Sequence, residues 1–421
     1  MTREAGGRRP RGSAASRDPY GIGPVSGYIA PIVAVVGLLV IALVTLNLLQ
    51  GQLPFLPATA NGNGNANGGG NGTGNEPQGT PAPSNVVVTP PDTAFIGSIV
   101  YAKAGNIWVQ SGTDAKQLTD DGHDSMPTYS ADGSWIYFIR VEVGAAKFPT
   151  EGNKERSWYD LFTPVLMRIR ADGTQPKRLL TGRYTQGSST WFYWLRQPTP
   201  SPDNKTIAVV SDGPNPLQSD IVLQTFTPAT KQLKSLNLPE TTHLGHQDPA
   251  WRPDGKVLLY VRNSRDGTRG APQIFRYDVT TKRTRPLTGP GYLAPAWSPD
   301  GRWIAATKTD AFDTNIVILD AVGTEVLRVT DDGQSFSPVW SPAGDAVAFL
   351  HLTGTSVDLR MAKLDPSSGQ WAVAATVDLT KVSGLDGTSR PSWFVPLDQR
   401  PATLPSPGGA PPPSASPSVT P

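Results

Sequence analysis

Eight side chains able to bind a ligand or move a proton stand just before copies of one recurring phrase, Pro-x-Trp and its variants. They are His123, Asp124, Arg196, His246, Asp248, Tyr292, Phe336 and Arg390. Histidine and aspartate can act as acid and base or hold a metal, while arginine pairs with carboxylates and phosphates. These positions indicate a ligand site, provided that the fold gathers them in one place.

Two histidines of this set, His123 and His246, suggest a metal site together with nearby His243. His243 and His246 are close enough in sequence to form a metal-binding pair with His123. A metal site needs three or more protein ligands, and the remaining histidine, His351, begins a different loop. Lone loop histidines are usually solvated, so we expect no metal and no other cofactor.

Nucleophilic motifs are incomplete. The chain has no cysteine, which excludes disulfides, thiolate chemistry and a lipid-modified cysteine. Residues 333–337 read GQSFS and fail the nucleophile-elbow pattern at the last position. The glycine-rich stretch 61–75 is not followed by the Gly-Lys-Ser/Thr of a phosphate loop. We therefore expect no catalytic residues and a binding protein rather than an enzyme.

The recurring phrase predicts the fold. Its copies begin at positions 127, 198, 249, 295, 338 and 391, at spacings typical of one four-stranded propeller blade with its loops. Pro-x-Trp-Ser forms a short strand, Ser-Pro-Asp-Gly a tight turn, and the apolar run that follows forms the returning strand. Two further strands in each unit predict six four-stranded blades.

The two ends of the repeat region are incomplete units. Residues 99–101 form a second-position strand with no first strand before it, and PSWF at 391–394 is a first strand with nothing after it. Together they complete one blade, the closure by which propellers remove free sheet edges. The sequence thus predicts an all-β, six-bladed β-propeller closed by its N- and C-terminal strands.

The phrase Pro-x-Trp-Ser-Pro-Asp-Gly resembles the repeat of TolB-like, WD-like six-bladed propellers. It is nearly intact at 249, 295 and 338, and the resemblance covers residues 95–397. The resemblance implies a fold rather than one activity, because TolB-like domains serve as periplasmic scaffolds, peptidase propellers and parts of polysaccharide-active enzymes. Some TolB-like lyases bind a metal near the channel, which is the alternative reading of His123 and His246.

Tryptophans of the phrase recur at the same register in several blades. That recurrence predicts packing between adjacent blades rather than ligand platforms, and it applies to Trp251, Trp297, Trp340 and Trp393. The Asp-Gly pairs at 132–133, 254–255 and 300–301 are interpreted as turn formers rather than metal ligands.

Two long insertions are expected as loops on the face of the propeller that carries the channel mouth. They cover residues 139–165 and 181–197 and flank the same blade. Their aromatic residues include Trp158, Tyr159, Trp191 and Trp194. Such residues either build a small private core or form a recognition surface, and both interpretations stay open.

The N-terminal region indicates a membrane anchor. Residues 28–49 are apolar and free of charge, and the run is long enough to cross a ~30 Å hydrocarbon core. Five arginines precede it and no Lys or Arg follows before Lys103, so the positive-inside rule places the N-terminus in the cytoplasm. Cleavage after Ala60 is the alternative, although the run is longer than a usual signal core.

These features define an organisation and an expected function. The chain divides into a cytoplasmic segment 1–27, a transmembrane helix 28–50, a Gly/Asn/Pro-rich linker 51–94, the propeller 95–397 and a disordered Pro/Ser-rich tail 398–421.

The net charge of +2 gives no basic face for nucleic acid. We expect a single-pass cell-membrane protein whose extracytoplasmic propeller binds a protein, peptide or envelope polymer through the insertion-bearing face. The alternative is a polysaccharide-active lyase or hydrolase with a site at the channel mouth.

Overall fold

The structure is a computed structural model and describes residues 95–149, 156–186, 189–213, 222–236, 238, 245–263, 270–311 and 313–407. Across these ranges no helix is long and apolar enough to span a bilayer. The membrane helix and the linker predicted within residues 1–94 lie outside the described residues.

The described residues form 26 β-strands and one 3₁₀ helix, Leu397–Gln399. In chain order the strands are β1 (Ser98–Lys103), β2 (Asn106–Ser111), β3 (Asp114–Gln117), β4 (Asp124–Tyr129), β5 (Trp135–Pro149), β6 (Arg156–Arg170), β7 (Lys177–Thr181), β8 (Arg183–Gln186), β9 (Ser189–Phe192), β10 (Arg196–Pro200), β11 (Ile207–Ser211), β12 (Val222–Thr227) and β13 (Gln232–Ser235). They continue with β14 (Gln247–Trp251), β15 (Val257–Asn263), β16 (Pro272–Asp278), β17 (Arg283–Pro290), β18 (Tyr292–Trp297), β19 (Trp303–Asp310), β20 (Asp313–Asp320), β21 (Glu325–Arg328), β22 (Ser335–Trp340), β23 (Ala346–Thr353), β24 (Ser356–Asp365), β25 (Ala372–Asp378) and β26 (Ser392–Phe394).

Six antiparallel four-stranded sheets confirm the six predicted blades. Blade 1 has the strand order β26-β1-β2-β3, and blades 2 to 6 are β4–β7, β10–β13, β14–β17, β18–β21 and β22–β25. Strands β8 and β9 form a separate two-stranded sheet. Each blade runs outward from the strand that carries the recurring phrase, which places those six strands innermost.

The chain ends meet in blade 1 as predicted. The last strand β26 pairs antiparallel with β1, so that Ile99 faces Trp393 and Val100 faces Ser392 in the register. This pairing gives β1 a partner on its inner side and removes an unpaired sheet edge at the closing blade.

The core lies between neighbouring blades, as the repeated tryptophans predict. Trp297 of blade 5 belongs to a cluster with Leu259 of blade 4, and Trp340 of blade 6 belongs to one with Ile318 of blade 5. Trp251 is half-buried and donates its indole N–H to the carbonyl oxygen of Thr199 in blade 3, over 3.2 Å. These residues are therefore structural joints between blades.

The tight turns have the role that the sequence predicts. The hydroxyl of Ser298 donates to the carboxylate of Asp300, which also accepts the backbone N–H of Arg302 over 3.0 Å. Gly301 follows with a φ of 68°, a left-handed conformation that glycine adopts without steric cost. The Asp side chain thus organises its own turn and is not presented to a ligand.

The first insertion is a β-hairpin rather than the expected loop. Strands β5 and β6 pair along their whole length, from Trp135 opposite Arg170 to Pro149 opposite Arg156. Only the first part of β5 pairs with β4, and only the last part of β6 pairs with β7. Residues 141–149 and 156–164 therefore extend beyond their blade, and we call this extension the arm.

The start of the C-terminal tail packs on the propeller. Its composition predicts disorder for residues 398–421, yet residues up to 407 are described and Pro407 is buried. The hydroxyl of Ser406 accepts the indole N–H of Trp303 over 2.8 Å, and the guanidinium of Arg400 donates to the carbonyl oxygen of Val395 over 2.8 Å. A few proline and serine contacts hold this stretch, which composition alone does not indicate.

Candidate functional site

The six innermost strands surround one central cavity. Five of them contain a β-bulge at the residue before the proline of the phrase, where the pairing register shifts. These residues adopt a left-handed backbone with φ between 49° and 55°, and they are Met126, Gln197, Asp248, Ala294 and Ser337. Non-glycine residues hold this conformation only where the surrounding structure over-determines it, and such positions cluster at functional sites.

Side chains of the preceding blade bind the backbone amides of these bulges. The N–H of Asp248 donates to Oε1 of Gln197 over 2.8 Å, and the N–H of Ala294 donates to Oδ2 of Asp248 over 3.1 Å. Gln197 Nε2 also donates to Oδ1 of Asp248 over 2.7 Å. In the same way the N–H of Met126 donates to the hydroxyl of Ser389 over 2.9 Å. A belt of hydrogen bonds therefore runs from blade to blade around the cavity.

Arg390 occupies the corresponding position before the proline of the sixth copy of the phrase, two residues ahead of β26. Its guanidinium nitrogens donate to the carbonyl oxygen of Pro295 over 2.7 Å and to that of Pro249 over 3.1 Å. Burial lowers the pKa of Arg390 below its ordinary value, and the nearby Asp248 carboxylate partly opposes this shift. An arginine stays charged under these conditions, so a cation joins blade 1 to blades 4 and 5 across the cavity.

The cavity has a volume of about 200 Å³. All six blades contribute to its wall, which includes Met126, Thr128, Gln197, Thr199, Asp248, Trp251, Pro295, Ser337, Thr388, Arg390 and Ser392. Sequence reasoning found Asp248 and Arg390 but missed Gln197 and Ser389. The signal that could have found Gln197 is its position directly before the proline of the phrase.

His246 has a structural contact rather than a rim position. Its Nδ1 accepts the backbone N–H of Leu223 over 3.0 Å, and its ring lies edge-on to Tyr260 at 4.8 Å. In other blades a threonine hydroxyl accepts the equivalent amide, as Thr288 does from Ile274 over 3.2 Å. His246 is 3% exposed, and burial lowers its pKa to about 4. The imidazole is therefore neutral at neutral pH and lies between blades 3 and 4.

Asp124 is bound within blade 2. Its fully buried carboxylate accepts Nε of Arg140 over 2.6 Å and the NH2 nitrogen of Arg140 over 2.7 Å. That bidentate contact with Asp124 is the first of several that raise the pKa of Arg140. Neighbouring His123 is exposed, and its Nδ1 lies 3.2 Å from the carbonyl oxygen of Asp121. Asp124 is thus engaged as a structural ion pair.

The remaining rim positions have separate surroundings. Tyr292 donates its hydroxyl to Glu325 over 3.1 Å, and Glu325 also binds Lys308 over 2.8 Å. Burial raises the pKa of Tyr292, and Glu325 adds to this shift. Phe336 packs against the core cluster between blades 6 and 1, whereas Arg196 is exposed. The structure therefore unites Asp248 and Arg390 at one cavity and leaves the other rim residues in different contacts.

A serine, a histidine and an aspartate meet in blade 6 without forming a hydrolytic relay. Nδ1 of His351 lies 3.2 Å from the hydroxyl of Ser335 and 3.3 Å from Oδ2 of Asp332. A relay requires the serine and the aspartate on different ring nitrogens, and an accessible serine. Both partners share Nδ1 here, and Ser335 is fully buried. Among the described residues no group of three or more His, Asp or Glu side chains is placed to hold a metal.

The arm and the second insertion expose apolar side chains. Val143 and Phe162 are opposite each other in the arm and are 46% and 55% exposed. Trp194, which is 44% exposed, contacts Phe192 edge-on at 5.6 Å. The N–H of Trp194 donates to the Asp212 carboxylate over 2.6 Å, which fixes the backbone there.

Other aromatics of the insertions are internal. Tyr193 is 6% exposed and donates its hydroxyl to the carbonyl oxygen of Thr181 over 2.7 Å. Trp191 is half-buried, and its backbone pairs with that of Tyr184 in the β8–β9 sheet. Trp158 and Tyr159 pair by backbone with 147 and 146, while their side chains lie outside the described residues. The second insertion thus combines a small core around Tyr193 with an exposed edge at Trp194.

Comparisons with known proteins agree with the repeat. A family model described as the TolB beta propeller domain matches residues 176–376. An uncharacterized protein of Agrobacterium fabrum is 30% identical over 157 residues, which is 37% of this chain and 45% of that protein. The chain therefore matches less than half the length of that curated relative.

Solved structures show the same fold. A putative TolB from Agrobacterium tumefaciens is similar with a TM-score of 0.50 and 19% identity, over 72% of this chain and 95% of that one. TolB from Acinetobacter baumannii is similar with a TM-score of 0.50 and 17% identity, over 70% of this chain and 66% of that one. The blades and the central cavity define a six-bladed β-propeller. Within that class, residues 176–376 match the model of the TolB beta propeller domain.

Proposed function

We propose that this protein is a membrane-anchored scaffold whose propeller lies outside the cytoplasm and binds a protein, peptide or envelope polymer. The observation that carries the proposal is the pair of exposed apolar surfaces on the two insertions, at Val143 with Phe162 and at Trp194 with Phe192. Large exposed apolar and aromatic side chains on otherwise polar surfaces are typical of interaction sites. The TolB-like fold supports this function, since a propeller presents its loops from a rigid frame.

A polysaccharide-active enzyme is the alternative. It would need His123, His246 and an arginine, Arg196 or Arg390, to converge on one substrate. His246 is instead a buried acceptor for a backbone amide, and Arg390 is bound to two carbonyl oxygens. These contacts favour the scaffold over the enzyme.

Capture from membranes tests the proposal. Tagged full-length protein would be crosslinked in its native cells, purified, and its crosslinked species identified and quantified. We expect Phe162→Ser combined with Trp194→Ala to remove most of a specific crosslinked species. Val322→Ser is the matched control, because Val322 is 65% exposed but lies in a turn of blade 5. A crosslinking pattern that is the same for the double variant and the control contradicts the proposal.

A further inference from the structure

Arg390 brings a positive charge into the central cavity without an ion-pair partner among the described residues. A guanidinium has five N–H donors, and two of them bind the carbonyl oxygens of Pro295 and Pro249. The other three have no partner in the described part of the chain. Asp248, the acidic group that acts on Arg390, already accepts hydrogen bonds from Gln197 and Ala294. Unused donors of this half-buried cation therefore adjoin an open space.

That space is large enough for a ligand group. Its volume of about 200 Å³ greatly exceeds the roughly 10–15 Å³ that one water molecule requires. Hydroxyl groups of Thr128, Thr388 and Ser392 belong to residues of its wall. The wall thus combines the cation of Arg390 with neutral polar groups and with the Asp248 carboxylate, whose two oxygens already accept hydrogen bonds from Gln197 and Ala294. The donors that remain available belong to Arg390, which suits a small, singly charged anionic group.

The cavity wall is also held rigidly. The left-handed residues Gln197 and Asp248 are fixed by reciprocal hydrogen bonds of 2.8 and 2.7 Å between neighbouring blades. Arg390 is fixed by its two carbonyl partners in blades 4 and 5. A site in which the polar groups are already oriented loses little entropy when a ligand binds.

We propose that the central cavity binds a carboxylate group through the unused N–H donors of Arg390. Arginine presents parallel N–H groups that match the two oxygens of a carboxylate. A singly charged group fits better than a phosphate dianion, because Asp248 lies close enough to repel a second negative charge. This site is separate from the exposed surfaces of the insertions, so either proposal can fail without the other.

Acetate is the probe for this site. The purified full-length protein would be titrated with sodium acetate, replacing chloride at constant ionic strength, while saturation-transfer NMR follows the acetate methyl signal. We expect saturable binding that Arg390→Met weakens about tenfold or more, because a charged hydrogen-bond donor is lost. Arg196→Met is the matched control, since Arg196 is an exposed arginine at the start of an innermost strand, and it should bind acetate as the wild type does.

Two further variants keep the test decisive if Arg390→Met does not fold. Arg390→Lys retains the charge but loses the parallel donors, so we expect weaker acetate binding. Asp248→Asn removes the repelling charge, so we expect tighter binding. Acetate binding that is absent from the wild type, or equal in the wild type and in both Arg390→Lys and Asp248→Asn, overturns the proposal.

The source of the carboxylate can be distinguished in the same assay. N-acetyl-Ala-Ala with a free C-terminal carboxyl represents a chain end, and its amide is the uncharged control. Binding of acetate alone assigns the site to small free acids. Binding of the peptide that disappears on amidation assigns it to a chain terminus, whereas equal binding of acid and amide contradicts recognition of a carboxylate.

Discussion

The indole Nε1–H of Trp393 donates a hydrogen bond to the carbonyl oxygen of Ile96 over 3.0 Å, which ties the last strand of the propeller to its first residues. Phe95 adds an edge-on contact with the same indole at 5.4 Å. Trp393 is 7% exposed and Val395 is fully buried, so the closing segment contributes apolar mass to the joint between blades 6 and 1.

Truncation tests this closure. Deleting residues 391–421 removes β26 together with Trp393 and Val395, and it leaves the inner edge of β1 unpaired. Loss of one large buried side chain alone costs about 3–5 kcal/mol. We therefore expect this deletion to abolish the cooperative melting transition of the propeller or to lower its midpoint strongly.

Deleting only residues 401–421 is the matched truncation. It removes the hydrogen bond between Ser406 and Trp303 and the packing of Pro407. One hydrogen bond of this kind contributes about 1 kcal/mol, so we expect a small loss of stability. Equal melting temperatures for the two truncated proteins would refute the closure by β26.

The blades and their closure could be predicted from the sequence because each blade repeats the same local strand-turn-strand signal. The arm could not, since residues 144–146 read Gly-Ala-Ala and resemble a loop. Its strands form because they pair with each other over their full length. The role of His246 was also missed, because its partner Leu223 is distant in sequence and only the folded blade brings them together.

Charge asymmetry around residues 28–49 leads to a topology prediction. Five arginines on the N-terminal side predict that the N-terminus stays in the cytoplasm and that the propeller is exported. Protease added to intact spheroplasts should therefore degrade the propeller but leave a cytoplasmic marker protein intact. Full protection of the propeller until the membrane is permeabilised would exclude an extracytoplasmic location.

The ion pair between Asp124 and Arg140 in blade 2 predicts that Asp124 stabilises the fold and does not bind a ligand. Asp124→Asn removes the negative charge and one of the two oxygens that accept from Arg140, so the remaining ion pair of Arg140 is the longer contact to Asp121, at 3.3 Å. A hydrogen bond to a charged group is worth about 1.5–3 kcal/mol, so we expect a loss of that size in unfolding free energy. Chemical denaturation of the single variants Asp124→Asn and Arg140→Met and of the double variant measures this coupling. If the two single effects simply add, the pair contributes no stability.

Insertion aromatics should divide into two groups on substitution. Trp194→Ala and Phe162→Ala alter exposed side chains, so we expect melting temperatures close to that of the wild type and reduced crosslinking to a partner. Tyr193→Ala and Leu195→Ala empty buried positions and should cost about 2–5 kcal/mol of stability. If Trp194→Ala and Phe162→Ala destabilise the protein as much as Tyr193→Ala does, both residues belong to a core. That result would contradict the interpretation of these side chains as a recognition surface.

His246 should make the propeller sensitive to acid. Its pKa is about 4 in the folded protein and about 6.5 when the chain is unfolded, because burial disfavours the imidazolium ion. Below pH 6.5 His246 binds a proton in the unfolded chain but stays unprotonated in the folded protein. Unfolding therefore becomes more favourable as the pH falls. The contribution of the neutral His246 imidazole to the free energy of unfolding is fully present above pH 6.5 and decreases as the pH falls from 6.5 to 4. Below pH 4 no further change from this group is expected.

The size of this effect follows from the difference between the two pKa values. At about 1.4 kcal/mol for each pH unit, it amounts to about 3–4 kcal/mol of unfolding free energy at most. His246→Asn keeps an acceptor near the position of Nδ1 for the Leu223 N–H but does not titrate. We therefore expect the wild type to lose stability relative to His246→Asn as the pH is lowered from 7 to 4, measured by urea unfolding at each pH. A difference between the two proteins that stays constant over this range would show that His246 does not govern the acid sensitivity.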